Sequence, residues 1–570
     1  MYTRNPTVGM RAHGAVPDAG DEVRASLLAS ALLRPEQAQK TPACSAACVT
    51  GADVRGWIGI VAQRRKLGLS DDEAYARAWN KIAAVNPFPA TLGRICPHPC
   101  ERRCNRGGKD GAVAINALER FLGDWGLRKD LRLPTLDEGR KPESIGVIGA
   151  GPAGLSFAYQ MARRGYRVTV YEKQQKSGGM LHYGIPEYRL PEDVLEKEVG
   201  RILDVGVDLE VGIAVGHEVS MRDLHERHAA LFLGIGSARG LRLGIPGEEG
   251  AGAWTGVEYL GALNRGESVT LGGDVVVVGG GNTAMDAARS ARRTGARVTV
   301  LYRRTTDEMP AIASAVEAAL AEGVAIEYLA SPVRIERSDG VVKGVVAQRM
   351  RLGEADCSGR RECVPLAGRE FSLPADSVIA AVSQSADWSG LDGMERDASD
   401  VSGNDPILLG GDVLGPGVAG IAIAQGRRAA EVLHAKLRGF SGPLQDTGAG
   451  AASPVVKADF YASKARVTPL TRPVQARLAD PDAEVEQTIS EHQFASEAER
   501  CFSCGLCFGC EHCFMYCNPG AFTRYEQVWP GAYFTLNLDR CEACRKCVEV
   551  CPCGFLSVGP DRSSAEDPPA

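Results

Sequence analysis

Residues 144–173 read SIGVIGAGPAGLSFAYQMARRGYRVTVYEK. An apolar run, a glycine-rich turn, an Ala-rich amphipathic stretch and a second apolar run follow in the order of strand, tight turn, helix and parallel strand. Gly149, Gly151 and Gly154 form G-x-G-x-x-G. Glycines there permit the turn and let the backbone approach a pyrophosphate, whose charge is favoured at the helix N-terminus opened by Pro152 and Ala153. The following strand ends at Glu172, a carboxylate placed to accept from ribose hydroxyls. An empty α/β domain with a glycine turn is the bland alternative.

Further along, 274–304 read DVVVVGGGNTAMDAARSARRTGARVTVLYRR, with Gly279, Gly281 and Ala284 in the same roles and Asn282 and Thr283 opening the helix. This second strand ends at Tyr302, Arg303 and Arg304, with no acid. Two arginines suit a 2′-phosphate, because guanidinium binds phosphate through paired, charge-assisted hydrogen bonds. The first site therefore reads as built for FAD and the second for NADPH, with NAD or a solvent-facing arginine pair as alternatives. Residues 406–437, PILLGGDVLGPGVAGIAIAQGRRAAEVLHAKL, put Gly411 and Asp412 at a strand end before a helix. Asp412 is a candidate for a flavin ribityl or phosphate group, and the segment reads as the return of the chain to the FAD domain.

At 570 residues the chain has room for three or four domains of about 150 residues each. A net charge of -6, with 24% charged and 6% aromatic residues, carries neither a nucleic-acid footprint nor a basic membrane face. No apolar run reaches a bilayer span and the first residues lack an apolar signal core, so a soluble, cytoplasmic protein is expected. Sixteen of the 18 cysteines lie at positions 44–104 and 501–553. Their C-x2-C and C-x3-C spacings read as thiolate metal ligands in a reducing compartment.

The expected class is α/β with a helical iron–sulfur domain at 1–143, its first part a polar lead and short helix (EVRASLLASALL). An FAD-binding domain at 144–265 and 373–437 follows, with an NAD(P)-binding domain inserted at 266–372. Both nucleotide domains are Rossmann-like. Next come a linker at 438–496, an α+β ferredoxin-like domain at 497–558 and a disordered tail at 559–570.

Cys507, Cys510, Cys513 and Cys517 form a complete C-x2-C-x2-C-x3-C run, and Cys541, Cys544, Cys547 and Cys551 a second. In two-cluster ferredoxins the fourth cysteine of each run serves the other cluster. That crossing gives one 4Fe-4S site from Cys507, Cys510, Cys513 and Cys551, and another from Cys541, Cys544, Cys547 and Cys517. Zinc is the rival, though its sites use two separated pairs. Cys553 is left over.

The segments GVIGAGPAGLSFA, GGMLHYGIPEYRLP, VVVVGGGNTAMDAAR, YRRTTDEMPA and GGDVLGPGVAG resemble the small subunit of NADPH-dependent glutamate synthase, and the similar halves of dihydropyrimidine dehydrogenase and NADH-dependent ferredoxin:NADP oxidoreductase. The resemblance covers roughly 44–437 and implies FAD, a nicotinamide cofactor and adjacent 4Fe-4S clusters, with Gly179 and Met180 at the flavin. It puts Cys48, Cys96, Cys100 and Glu119 on one cluster and Cys44 and Cys104 on another. The family's upstream R-C-x2-C is replaced here by RPEQAQKTPA. An element of that kind stands instead in EAERCFSC, so Cys501 and Cys504 are expected to complete the second N-terminal cluster; unligated or structural cysteines are the alternative.

Cys357 and Cys363 read as an inert loop pair rather than a redox disulfide, and His182 as a flavin-site or a packed residue. No catalytic side chain is expected, because the cofactors carry the chemistry. The reading is an NAD(P)H:acceptor oxidoreductase passing electrons to or from a protein redox partner, of sulfite reductase or ferredoxin type, with homo-oligomerisation left open. The extended C-terminus resembles that of iron–sulfur flavoproteins partnering dissimilatory sulfite reductase. Glutamate synthesis by the chain alone is not expected, and a flavin-free electron-transfer scaffold is the rival.

Overall fold

The computed structural model describes residues 33–355, 359–391, 407–440 and 455–560. The chain divides into two compact units, Ala43–Gly450 with Ser463–Cys501, and Met1–Pro42 with Ala451–Ala462 and Phe502–Ala570.

The larger unit opens with helices at Val54–Ala62, Asp71–Ala83, Pro89–Ile95 and Ile115–Arg128. Ser70 and Glu73 close a capping box at the start of the second, and Asp71 and Asp72 add negative charge at its positive end. The core of this layer holds Trp57, Tyr75, Phe121 and Trp125. Phe494 completes it, stacked 4.1 Å from Phe121 and edge-on at 5.0 Å to Tyr75. Phe494 sits on a helix, Glu491–Ala498, almost four hundred residues downstream. The stretch that composition marks as linker, 438–496, thus packs into the protein from residue 463 on. Phe494 and Glu497 join the helical layer, whereas the short helix Val474–Ala479 packs on helix Asn282–Arg293, with the buried Arg477 paired to Glu322 at 3.5 Å.

Two parallel five-stranded sheets follow. The first runs in the order Ile407–Leu409, Ala230–Leu233, Ser144–Ile148, Arg167–Glu172 and Val207–Val211. Its central strand is buried on both faces, so it reads as a continuous apolar run rather than an alternating one. The second runs Ala325–Tyr328, Arg297–Tyr302, Asp274–Val278, Ser377–Ala380 and Ala253–Thr255. Strands 253–255 and 377–380, expected in the FAD-binding domain, pair into this sheet instead, so the inserted unit reaches beyond 266–372 on both sides. A three-stranded antiparallel sheet, Ala330–Ser338, Val341–Ala355 and Arg361–Pro374, covers one side of it.

One buried carboxylate couples the helical layer to the first sheet's helices. Helix Pro89–Ile95 has no side-chain cap of its own. Glu198, fully buried on helix Glu192–Leu203, accepts from Ala90 N at 2.7 Å and Thr91 N at 2.9 Å. An anion at this positive helix end satisfies two orphan donors and fixes the segment that runs into Cys96.

The smaller unit is α+β. Strand Leu33–Gln37 pairs antiparallel with Leu556–Pro560, and Phe522–Trp529 forms a hairpin with Ala532–Leu536. Short helices His512–Met515 and Lys546–Val550 carry cysteines. Two terminal boundaries are corrected as well. Leu33 begins a strand rather than ending a helix, and residues 559 and 560 belong to a strand rather than to the tail, in both cases because the two segments supply each other's ladder partners. The rest of the expected N-terminal helix and tail lies outside the described residues, as does Cys357.

Candidate functional site

Both glycine turns adopt the geometry a dinucleotide cradle needs. Gly149 has φ +97°, and a Cβ there would stand 2.6 Å from the Gly234 carbonyl oxygen. A Cβ at Gly154 would stand 2.0 Å from the Gly149 carbonyl oxygen, so only glycine allows helix Pro152–Ala162 to sit this close to the strand. At Gly151 and Gly281, by contrast, a Cβ would meet no protein atom. The open space beyond those two positions fits a pyrophosphate approaching the bare backbone.

A cavity of about 960 Å³ starts at the first turn. Gly149, Gly151, Pro152, Ala153, Glu172, Gly179 and Met180 line it, as do Gly411 and Asp412 on the returning strand and Asn282 and Thr283 at the second turn. Glu172 is buried, and its carboxylate accepts from Ala150 N at 2.8 Å and Gln174 N at 2.9 Å; burial raises its pKa. Each oxygen keeps a lone pair for a further donor such as a ribose hydroxyl. Asp412 accepts from Gly417 N at 3.2 Å, and burial raises its pKa as well. The carboxylate acceptors and the open backbone at the turns fit FAD with a nicotinamide nucleotide beside it.

Gly154, Gly279, Gly281 and Ala284 shape the turns without lining the cavity, and Arg303 and Arg304 stand outside it at the end of strand Arg297–Tyr302. Arg303 is exposed, whereas Arg304 donates to the Arg361 carbonyl at 2.9 Å. Cys363 donates its S–H to the Arg303 carbonyl at 3.4 Å. His182 is packed, not lining, and burial lowers its pKa.

Motif reading missed several lining residues. Arg189 and Asp286 line the cavity and are ion-paired with each other, and Ile95 and Pro97 bring the helical layer to its wall. No periodicity or spacing in the sequence marks them. Ile95 and Pro97 flank Cys96.

Around Cys96 the helical layer gathers a set of buried acidic groups. Burial and the neighbouring Glu119 push the Cys96 thiol up to about 12; burial and Glu119 also raise Cys48, while burial, Cys48 and Glu119 raise Cys100. Glu119 is itself driven to about 7 by burial and accepts from Asn86 Nδ2 at 3.0 Å. Burial thus favours the uncharged forms of all four; as thiolates and a carboxylate they would need a cation, which cluster irons would supply.

The smaller unit holds two such sets. Cys513 is raised by burial and by Cys507, Cys510 and Cys551, and Cys547 is raised to about 12 by burial and by Cys541, Cys544 and Cys517. The electrostatic neighbours therefore cross between the two runs. The Cys551 thiol is lowered chiefly by its hydrogen bond with the thiol of Cys553, 3.9 Å away. Among the described residues no three Cys, His, Asp or Glu side chains are grouped to hold a single metal ion. A four-iron cube, with one ligand at each corner, asks for wider spacing.

Cys44, Cys104 and Cys501 all pack against the aromatic core of the helical layer. What holds Cys501 there is a buried network. Arg500 donates to Glu497 at 2.6 Å, to Asp110 at 3.0 Å and to the carbonyls of Asp110, Gly111, Ala112 and Lys464. Arg106, two residues after Cys104, donates to the Arg500 carbonyl. Cys504 is half-buried in the other unit.

The fold and this site define a flavin- and nicotinamide-dependent iron–sulfur oxidoreductase. Residues 143–399 match the pyridine nucleotide-disulphide oxidoreductase family, 35–131 the dihydropyrimidine dehydrogenase domain II 4Fe-4S family, and 534–557 a 4Fe-4S binding domain. The chain is 38% identical to the NADP(+)-dependent formate dehydrogenase subunit beta of Moorella thermoacetica, over 81% of this chain and 70% of that protein. It is 32% identical to the NADPH-Fe(3+) oxidoreductase subunit beta of Geobacter sulfurreducens, over 81% and 75%. To the glutamate synthase [NADPH] small chain of Escherichia coli it is 33% identical, over 61% of this chain and 80% of that one. The chain belongs to the glutamate synthase small chain family. It is an iron–sulfur flavoprotein oxidoreductase working with FAD, NADP and 4Fe-4S clusters. No helix among the described residues is long and apolar enough to cross a membrane.

Proposed function

We propose that this chain exchanges electrons between NADPH and a protein redox partner of the dissimilatory sulfite reductase type. One observation carries the proposal: a single cavity is walled by Gly151 at the first turn, Thr283 at the second and Pro97 beside Cys96. The two glycine turns and the residues flanking Cys96 thus share one cavity. FAD, when bound, supplies the conversion of a hydride's electron pair into single electrons. The chain's residues supply binding and position: bare backbone at Gly151 and Gly281 for pyrophosphates, Glu172 for a ribose, and Arg303 and Arg304 for a 2′-phosphate.

Cys48, Cys96, Cys100 and Glu119 hold the cluster nearest the cavity in this reading. Cys44, Cys104 and Cys501, with Cys504 assigned on sequence spacing alone, hold a second, and the crossed sets of the smaller unit hold two more. A protein acceptor is supported by the formate dehydrogenase and NADPH-Fe(3+) oxidoreductase relatives being named as beta subunits. The sulfite reductase type rests on the resemblance of the extended C-terminus.

The test is anaerobic addition of NADPH or NADH at equal concentration, following flavin absorbance and cluster electron paramagnetic resonance (EPR) signals, with co-purification of the native partner. Faster bleaching by NADPH, followed by cluster signals, is expected. A chain that binds no flavin, or whose termini carry zinc, would be an inert scaffold and would end the proposal.

A further inference from the structure

The loop after Cys48 is clamped more firmly than ligand spacing requires. Thr50 is 2% exposed, and its hydroxyl lies 3.2 Å from the Cys48 sulfur. Its carbonyl accepts from Arg427 at 3.3 Å. Arg427 belongs to helix Ala419–Arg438, whose first residue lines the cavity. Two turns before Arg427 the helix presses on the same loop: a Cβ at Gly420 would stand 2.4 Å from the Val49 side chain. Helix Ala419–Arg438 thus fixes the loop that carries the hydroxyl at both Val49 and Thr50.

Resting on the cluster assignment above, we propose that Thr50 is a positioning residue that sets the reduction potential of the cluster held by Cys48, Cys96, Cys100 and Glu119. A ligating thiolate has no proton to give, so in the Cys48–Thr50 contact the hydroxyl must be the donor. Reduction adds one negative charge to a cluster. A donor aimed at a ligand sulfur stabilises the more negative state and raises the potential. The Thr50 hydroxyl adds a side-chain donor to the backbone donors of Thr50 and Ala52 at Cys48, whereas the Cys96 sulfur accepts from backbone, His98 N at 3.4 Å. Thr50 therefore biases electron flow from the cavity toward this cluster.

Thr50→Val replaces the hydroxyl by a methyl of nearly the same shape, and Thr50→Ser keeps the donor. The full chain carrying its cofactors is titrated electrochemically under EPR, with iron and flavin counted per chain and the signal assigned by its loss in Cys48→Ala. In Thr50→Val the reduced fraction of this cluster at fixed potential should fall by roughly two- to tenfold, the equilibrium effect of one hydrogen bond, or about 20–60 mV for a one-electron couple. The other clusters and the iron and flavin counts should hold, and Thr50→Ser should titrate near the parent. Unmoved potentials at full iron content overturn the inference and leave the cluster assignment standing. Loss of iron or flavin in Thr50→Val makes the residue structural and overturns it too. A Cys48→Ala protein with undiminished iron overturns the assignment itself.

Discussion

Glu497→Ala tests why a segment near 500 belongs to a layer built from residues 43–128. The Glu497 side chain has no exposure and accepts three hydrogen bonds, from Ala114 N at 2.8 Å, Val467 N at 2.8 Å and Arg500 Nη1 at 2.6 Å. Truncation orphans two backbone N–H groups at about 1–3 kcal/mol each. It also removes one partner of a buried ion pair, a change that costs about 3–5 kcal/mol where no counter-charge remains. Arg500 keeps Asp110 at 3.0 Å, so the ion-pair share falls below that range. The lower part of that summed range, about 3–5 kcal/mol, is expected once the site relaxes, borne locally, because the network ties 497–501 to the 106–114 loop rather than to either parallel sheet.

Hydrogen exchange read by mass spectrometry over 491–501 should then speed up by roughly a hundred- to a few-thousand-fold. Detached from its loop, Cys501 should no longer serve a cluster, and the chain should lose about four irons. Glu499→Ala, two residues away at a half-exposed site, is the control and should change neither. Parent-like exchange together with parent-like iron in Glu497→Ala would refute the idea that this network delivers Cys501.

Replacing Arg303 and Arg304 together by Ala should raise the KM for NADPH about 10- to 100-fold, the worth of charged hydrogen bonds to a phosphate, and leave NADH nearly unaffected; equal losses for both nucleotides would show the arginines do not read the 2′-phosphate. Gly151→Ala places its methyl where no protein atom stands, with a backbone φ of -79° that alanine accepts. The flavin-free chain should keep its Tm within a few degrees while FAD content after reconstitution falls, and undiminished FAD would move the pyrophosphate elsewhere. Cys551→Ala should lose about four irons per chain and Cys553→Ala none; the reverse would make Cys553 the ligand.

The parallel sheets were legible because strands such as Ser144–Ile148 and Asp274–Val278 are buried on both faces and must be uniformly apolar. The glycine turns were legible for a related reason: at Gly149 and Gly154 backbone atoms occupy the place of a side chain, which only one residue type tolerates. The cavity's remaining wall was not. Ile95, Pro97, Arg189 and Asp286 reach it through packing between elements, which leaves no local period or spacing to read. The strand Leu33–Gln37 was missed because a five-residue edge strand takes its identity from its partner, Leu556–Pro560, more than five hundred residues away.

The expectation drawn from EAERCFSC concerned ligands, yet the structure ties the same segment to the core by a separate route. Phe494 packs against both Tyr75 and Phe121, so without helix Glu491–Ala498 the first four helices would expose the middle of their aromatic core. Glu497 and Arg500 then fix the end of that helix to the loop carrying Cys104 and Arg106. Core completion and delivery of Cys501 are therefore one event, driven by apolar burial and held by a buried ion pair. A fragment of residues 43–131 should accordingly show exposed aromatic surface by dye binding, and adding 463–501 in trans should suppress it. Suppression by a Phe494→Ala version of the added segment as well would break the link between the core and the cysteine.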